Sequence, residues 1–251
     1  SQYADDTNCS ASSKDLYQIA TKLETSFNAI QEYCVCNDLI LNGDKTQLII
    51  FKQPGKTIPD DFSIQLGKDN VKPQSKVKLL GVTLDQHLNF SNHIDDVIQR
   101  AHCTLGILRK AASRLPREIL KLAYIALVRS VLEYCSCLLF PISKTNQKKL
   151  ETVQKIASRI ICNAPRRTHA EPLLQSLQLQ TLSDRRESHV LKIVEQILKG
   201  NCHPAIADIL TETTTEKLME TKCRTAVGRR RFGIFAAKTY NTVHTTTVPL
   251  L

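Results

Sequence analysis

Apolar side chains recur at helical spacing along much of this chain, and the first such stretch covers residues 14–36. They share one face of a helix, at Leu16, Ile19, Ala20, Leu23, Phe27, Ile30 and Cys34. We expect this helix to be capped by Ser12 or Ser13 and to pack under a small sheet. A second amphipathic helix, capped by Ser91 or Asn92, is expected to turn Ile94, Val97, Ile98, Ala101, Leu105 and Leu108 inward.

Three further helices are expected in the second half of the chain. They run from Pro116 to about Leu139, from Ser143 to Cys162, and over residues 182–199, with Pro141, Pro165 and Gly200 beyond their ends. The middle one has an inward face of Leu150, Val153, Ile156, Ala157, Ile160 and Ile161. Antiparallel helices of this kind form a bundle.

Short strand-like patterns lie between the first two helices. Leu39 to Leu41, Gln47 to Phe51, Ile64 to Leu66 and Lys76 to Leu84 are expected to be strands. Residues 53–60, which contain Pro54, Gly55 and Pro59, are expected to form a loop. The fold class is therefore α+β, a small antiparallel sheet with a helix followed by an all-helical part, with a boundary near Asp85 to Ser91.

Composition indicates an ordinary globular chain of one or two domains, because 42% of its 251 residues are hydrophobic and 23% are charged. The sequence shows no apolar run of membrane length and no signal peptide, so we expect an intracellular protein of the nucleus or cytoplasm without a membrane partner.

Nine cysteines, an odd number, do not suggest a disulfide framework. The pairs Cys34/Cys36 and Cys135/Cys137 are expected to be small buried hydrophobes within helices, and His87 and His93 are expected to be surface residues. Glu133 is expected to pair with Arg129 along a helix rather than to act as an acid catalyst.

Charge is distributed unevenly along the chain. Residues 1–99 hold 9 Lys/Arg and 13 Asp/Glu, whereas residues 100–200 hold 18 and 7. A basic middle beside an acidic start suits a polyanion held near a metal site. A solvated helical surface would give the same charge pattern.

Candidate chemistry begins at Asp5 and Asp6, which follow Tyr3 and Ala4. The pattern is typical of a tight hairpin that presents carboxylates, and hard oxygen ligands suit Mg²⁺. Alone, an Asp pair is more often a solvated turn. Assignment of this pair as metal ligands therefore depends on the sequence blocks that follow.

Several blocks occur in a defined order along the chain. They are Tyr3-Ala4-Asp5-Asp6, Leu41-Asn42-Gly43-Asp44-Lys45-Thr46, Val77 to Asp85, Leu132-Glu133-Tyr134, Leu150 to Lys155, and Arg231 to Ala237 with Tyr240-Asn241. In this order they resemble the reverse transcriptases of non-LTR (LINE-type, jockey-like) retrotransposons. The resemblance covers nearly the whole chain and corresponds to the C-terminal part of such an enzyme, starting at its YADD motif.

The resemblance implies a fold and an activity. Residues 1–88 would be a partial polymerase palm with a primer-grip hairpin, residues 89–165 a helical thumb, and residues 166–251 a C-terminal helical extension. The full enzyme would extend a DNA primer on an RNA template, using deoxynucleoside triphosphates and Mg²⁺. Asp5 and Asp6 would be metal ligands. The palm strand with the other metal-binding Asp, together with the fingers, is expected upstream of Ser1, so the isolated chain is expected to be inactive.

Two further sites carry over from the family. Lys45 falls where such polymerases place a lysine near the departing pyrophosphate, although a solvated lysine at a hairpin end fits the sequence equally well. Leu80-Gly81-Val82 resembles the primer grip, where glycine lets the backbone approach the primer closely. Lys76 and Lys78 flank it and could contact phosphates.

A basic stripe follows the helix at Ser143 to Cys162. Lys144, Lys148, Lys155 and Arg159 stand at i, i+4, i+11 and i+15 and share one face, and Arg166 and Arg167 come just past its end. A thumb helix lying along an RNA–DNA duplex would use such a stripe for phosphate contacts. Ordinary amphipathicity would also place these side chains outward. A non-catalytic nucleic-acid-binding module and a protein-interaction bundle therefore stay open as alternatives to a polymerase segment.

Overall fold

The computed structural model describes residues 2–3, 6–139, 141–210, 217–223, 228 and 231–246. The chain forms two compact units, Ser1–Asn89 and Phe90–Leu251. Helices and small two-stranded sheets make up the described part, in agreement with the expected mixed α+β composition. No helix in these described ranges is long and apolar enough to cross a bilayer.

The first unit contains one long helix and four small sheets. Its elements are β1 Gln2–Tyr3, β2 Asp6–Thr7, α1 Leu16–Cys36, a 3₁₀ turn Gly43–Lys45, β3 Leu48–Ile49, β4 Ile64–Leu66, β5 Asp69–Val71, β6 Pro73–Gln74, β7 Lys76–Leu79 and β8 Val82–Asp85. Pairs β1–β2, β4–β5 and β7–β8 are antiparallel, and β3–β6 is parallel. Residues 53–60 form the expected loop.

Helix α1 confirms the predicted face, since all seven apolar positions are less exposed than the polar positions that surround them, except Glu24. Its packing partner is β4, where the Gln65 backbone N–H donates to Glu24 Oε1 at 3.4 Å. The predicted caps were wrong: Asp15 is the N-cap and accepts from the Tyr17 N–H at 3.0 Å. The Ser13 hydroxyl instead accepts a hydrogen bond from the N–H of Asp15, the residue that precedes the helix.

Three of the predicted strands differ from the structure. Leu39 to Leu41 is not a strand: α1 ends at Cys36, Asp38 turns the chain with a φ of 54°, and Ile40 is 97% exposed. Gln47 to Phe51 is reduced to β3. Lys76 to Leu84 is a hairpin rather than one strand, because Leu80 and Gly81 have φ values of 45° and 82°, as a two-residue turn with both φ positive requires.

The second unit is almost entirely helical. Its elements are α2 Ser91–Ala111, α3 Arg117–Tyr124, a π-helical turn Ile125–Arg129, α4 Ser130–Glu133, α5 Lys144–Ile161, α6 Ala170–Ser176, α7 Leu182–Leu198, α8 Pro204–Ala207 and α9 Phe232–Thr246. The expected inward faces of α2 and α5 are buried or partly buried. Ser143 and Thr181 cap α5 and α7 through their hydroxyls.

Several helix details differ from the sequence expectation. Helix α2 has Phe90 at its N-cap, with φ of 57° and no side-chain cap, in place of Ser91 or Asn92. The helical run expected to reach Leu139 ends at Glu133, because Cys135 turns the chain at φ of 51°. Helix α6 was not foreseen.

Two of the smaller assignments also need correction. His93 is not on the surface, since it is 1% exposed, and half-buried His87 lies 3.0 Å (Nδ1) from the Lys52 carbonyl. Of the cysteine pairs, only Cys34 is buried, and Cys135 and Cys137 lie in turns.

The core of the second unit has two parts. The larger cluster is formed by α2, α3, α4, α5 and α6 with the start of α7, around Tyr124, Leu132, Leu150 and Val153. The smaller one joins α7 to α9 through Val190, Val194, Phe235 and Ala236. The first cluster fixes the orientation of α5, the helix that carries the basic stripe.

Candidate nucleic-acid interface

The predicted N-terminal hairpin is present in the backbone. Tyr3 pairs with Asp6 and Gln2 with Thr7. Asp6 is exposed, and Asp5 lies outside the described residues. Within the described part of the chain, no three His, Cys, Asp or Glu side chains are grouped closely enough to hold a metal ion. An exposed carboxylate at a hairpin edge can still supply an oxygen ligand to Mg²⁺.

Lys45 ends the 3₁₀ turn Gly43–Lys45 and is exposed. The Asp69 side chain at the start of β5 lies against this turn: a Cβ at Gly43 would collide with Asp69 Oδ2 and lie 3.3 Å from its Cγ. The carboxylate is the free end of an exposed, flexible side chain, so this contact alone does not require glycine at position 43. The turn at Gly43–Lys45 therefore lies next to the Asp69 carboxylate, a neighbour that the sequence did not indicate.

The primer-grip block is the β7–β8 hairpin. Leu80 is 41% exposed at the tip beside Gly81, and Val82 is buried. Lys76 and Lys78 lie on the exposed side of β7, where Lys76 is opposite Asp85 in the register. The hairpin thus exposes the ammonium groups of Lys76 and Lys78 on β7, together with the turn at Leu80 and Gly81.

The first half of the basic stripe is open to solvent. Lys144 and Lys148 are exposed, and no ion pair among the described residues involves either of them. Both lie in the first two turns of α5, whose first turn holds no acidic residue. Positive charge at a helix N-terminus opposes the helix dipole, so this arrangement costs stability rather than providing it.

The second half of the stripe is engaged within the protein. Lys155 Nζ lies 2.7 Å from Glu171 Oε1 on α6. Arg159 Nε donates to the Thr168 carbonyl at 2.8 Å, and its Nη1 donates to the Lys155 carbonyl at 3.2 Å. Lys155 and Arg159 therefore have internal partners that sequence spacing could not reveal.

Arg166 and Arg167 occupy the centre of a tight turn. The Thr168 N–H donates to the Pro165 carbonyl at 3.0 Å, and both arginines are exposed. Since Arg159 holds Thr168, this turn is fixed next to the stripe face of α5. The structure thus brings the double arginine and the stripe together.

A polar cluster behind the stripe holds α5 in place. Tyr124 Oη donates to Gln154 Oε1 at 2.8 Å, and Gln154 Nε2 donates to the Gln180 carbonyl at 2.9 Å. Burial raises the pKa of Tyr124 well above its usual value. The Ser183 N–H donates to Glu151 Oε1 at 2.9 Å. The only signal for this cluster in the sequence is a glutamine at an inward position.

Glu133 joins α4 to α7 with a forked ion pair. Arg185 donates to both Glu133 oxygens, through Nε and, at 2.9 Å, through Nη2. The predicted Arg129–Glu133 pair is confirmed at 4.0 Å but is the weaker contact. Arg185 has its pKa raised, chiefly by its hydrogen bond to Glu133. In the described part of the unit, the contacts of Glu133 link helices and so support the fold.

Comparisons with known proteins agree with the ordered blocks. The chain is 26% identical over 235 residues to the RNA-directed DNA polymerase from mobile element jockey of Drosophila melanogaster, covering 91% of this chain and 24% of that protein. It is 25% identical over 199 residues to a probable RNA-directed DNA polymerase from transposon BS of the same organism, covering 78% and 22%. The chain spans about a quarter of the length of these relatives.

The other two comparisons found nothing: no family model matches, and no solved structure matches. The resemblance to jockey-like reverse transcriptases is nevertheless confirmed, because this chain is homologous over nearly its whole length to RNA-directed DNA polymerases of such elements.

Proposed function

We propose that this chain is the C-terminal part of an RNA-directed DNA polymerase from a LINE-type retrotransposon. Residues 1–88 are the end of the palm, residues 89–165 the thumb and residues 166–251 a C-terminal extension. The observation that supports this proposal best is the homology that extends over 91% of the chain to a mobile-element polymerase. The family blocks lie in both structural units, as a segment of one enzyme requires.

The hairpin at Tyr3 to Asp6 contributes carboxylates in this proposal. Asp5 and Asp6 are ligands for Mg²⁺, which stabilises the attacking and leaving oxygens of nucleotidyl transfer when it is bound. Lys45 provides an ammonium for the leaving pyrophosphate of a deoxynucleoside triphosphate. The exposed positions of Asp6 and Lys45 leave both groups accessible to such ligands.

The helical unit holds the RNA template and DNA primer. Lys144 and Lys148 contact backbone phosphates, and Arg166 and Arg167 extend the same surface. In the first unit, Lys76 and Lys78 contact the primer beside the bare turn at Gly81. Phosphate contacts of this kind are independent of base sequence.

A non-catalytic nucleic-acid-binding module is the second candidate. One observation favours it: the charged groups that suit phosphate lie mainly in residues 100–200, away in sequence from the hairpin carboxylates. In that case, substitution of Asp5 and Asp6 would leave nucleic-acid binding intact. The two candidates share the interface and differ only in chemistry.

The interface can be tested by fluorescence anisotropy with a labelled RNA–DNA hybrid over a salt series. About four phosphate contacts predict a log–log slope of roughly −3 to −4. Replacing Lys144 and Lys148 by Gln should weaken binding about tenfold or more near 0.1 M salt and flatten the slope by about two units. Asp6→Asn should leave binding unchanged or slightly stronger.

The matched control replaces Lys192 and Lys199 of the α7 region by Gln. These lysines are also exposed, and the net charge changes by the same amount. If both double variants lose the same affinity, the interaction is a general charge effect and the proposed interface is wrong. If the parent chain fails to bind any polyanion at low salt, a protein-interaction bundle is the better account.

A further inference from the structure

Glu171 forms an ion pair with Lys155, one of the four basic residues of the stripe on α5. Its carboxylate lies 2.7 Å from Lys155 Nζ, and the two side chains are 62% and 40% exposed. An ammonium–carboxylate contact of this length has the same geometry and charge as an ammonium–phosphate contact. The third member of the stripe is therefore already neutralised by an acid of the same chain.

Glu171 lies in the first turn of α6, directly after the connection from α5. Arg159 holds the Thr168 carbonyl at 2.8 Å, only three residues before Glu171. The Pro165–Thr168 turn with its two arginines belongs to the same connection. Glu171 thus contacts the stripe at Lys155 and follows the double-arginine turn closely in sequence.

The ion pair is not needed to attach α6. This helix is anchored by the buried side chains of Ala170, Leu174 and Leu177, which pack in the main cluster or are fully covered. An exposed pair adds little stability because water screens it. A role in controlling the charge of the surface explains its position better than a role in folding.

We propose that Glu171 is an internal competitor for nucleic acid: it occupies the phosphate position at Lys155, and a bound backbone must displace it. This inference rests on the proposed function and specifies how that interface is tuned. Weak, non-specific polyanions are disfavoured by this competition. A duplex that also contacts Lys148 and the double-arginine turn displaces the carboxylate.

A matched pair of variants tests the idea in the full chain. Glu171→Gln releases Lys155. Asp95→Asn releases Lys149, which Asp95 contacts at 2.6 Å in an equally exposed pair beside the stripe. Both remove one negative charge from the same unit. Anisotropy with an RNA–DNA hybrid should show binding about two- to fivefold tighter for Glu171→Gln, and clearly less for Asp95→Asn. The salt slope should stay close to that of the parent for both variants, because the bound complex has the same phosphate contacts.

A second variant guards against an indirect effect. Lys155→Gln added to Glu171→Gln should cancel the gain, while circular dichroism shows the helical content unchanged. If Glu171→Gln and Asp95→Asn behave alike while the parent binds with a steep salt slope, the competitor role is wrong and the proposed interface stands. If the parent does not bind the hybrid at all, both proposals fail.

Discussion

The side-chain amide of Asn241 is hydrogen-bonded to both backbone groups of Leu218. Its Oδ1 accepts from the Leu218 N–H and its Nδ2 donates to the Leu218 carbonyl, each at 2.9 Å. Asn241 is 9% exposed and Leu218 is 2% exposed. The amide therefore ties this segment to α9, which gives a structural reason for the Tyr240-Asn241 block.

Asn241→Ala should destabilise the second unit by about 2–4 kcal/mol, because two buried backbone groups lose their partners. Thr242→Ala, at the next and exposed position of α9, is the control and should change the free energy of unfolding by less than about 0.5 kcal/mol. Denaturant unfolding followed by far-UV circular dichroism measures both. Equal stability of the two variants would show that the amide bonds are not needed.

Two glycines should respond to alanine with opposite signs. A Cβ at Gly233 would lie 2.6 Å from the Ile209 carbonyl oxygen, a backbone atom that cannot easily move. Gly233→Ala should therefore destabilise by about 1–3 kcal/mol. A Cβ at Gly106, inside α2, meets nothing within 4 Å, so Gly106→Ala should stabilise by about 0.5–1 kcal/mol. Melting temperatures that move in the same direction would contradict this reading of the packing.

The competitor role of Glu171 has a defined pH dependence. The hydrogen bond from Lys155 is the main cause that lowers the pKa of Glu171 below its usual range. The pair is therefore fully present above the ordinary glutamate pKa and is lost only as pH falls through the lowered value. The affinity difference between parent and Glu171→Gln should stay constant from about pH 8 to about pH 5.5. A difference that closes within this range would contradict the assignment of the effect to the Glu171 carboxylate.

The 251-residue chain alone should not extend a primer. By resemblance, the metal site also needs an aspartate from a palm strand that precedes the hairpin in the polymerase. Incubation with poly(rA)/oligo(dT), Mg²⁺ and dTTP should give no products above background. Extension that disappears in Asp6→Asn would contradict this expectation.

Sequence periodicity found the elements whose formation depends on local pattern. The inward faces of α1, α2 and α5 were predicted because an amphipathic helix repeats its apolar side every three or four residues. The N-terminal hairpin was predicted from two adjacent carboxylates that follow Tyr3 and Ala4 and precede a polar run. These elements need no knowledge of their partners.

Elements decided by single backbone angles or by distant partners were missed. Periodicity alone merged β7 and β8 into one strand, because it does not show that Leu80 takes a left-handed φ, whereas the family resemblance had indicated a hairpin at Leu80-Gly81-Val82. The partners of Lys155 and Arg159 come from the following loop and helix, which spacing along α5 cannot show. The stripe was therefore predicted as a surface, while its occupied half was not.

Lysine footprinting of the 251-residue chain tests whether α5 is the helix that holds nucleic acid. Acetylation rates of Lys144, Lys148, Lys192 and Lys199, read by mass spectrometry with and without an RNA–DNA hybrid, compare four exposed lysines in one sample. The account predicts that the hybrid protects Lys144 and Lys148 and leaves Lys192 and Lys199 reactive, with protection lost at high salt. Equal protection of all four, or protection of Lys192 and Lys199 alone, would contradict the assignment of α5 as the helix that holds nucleic acid.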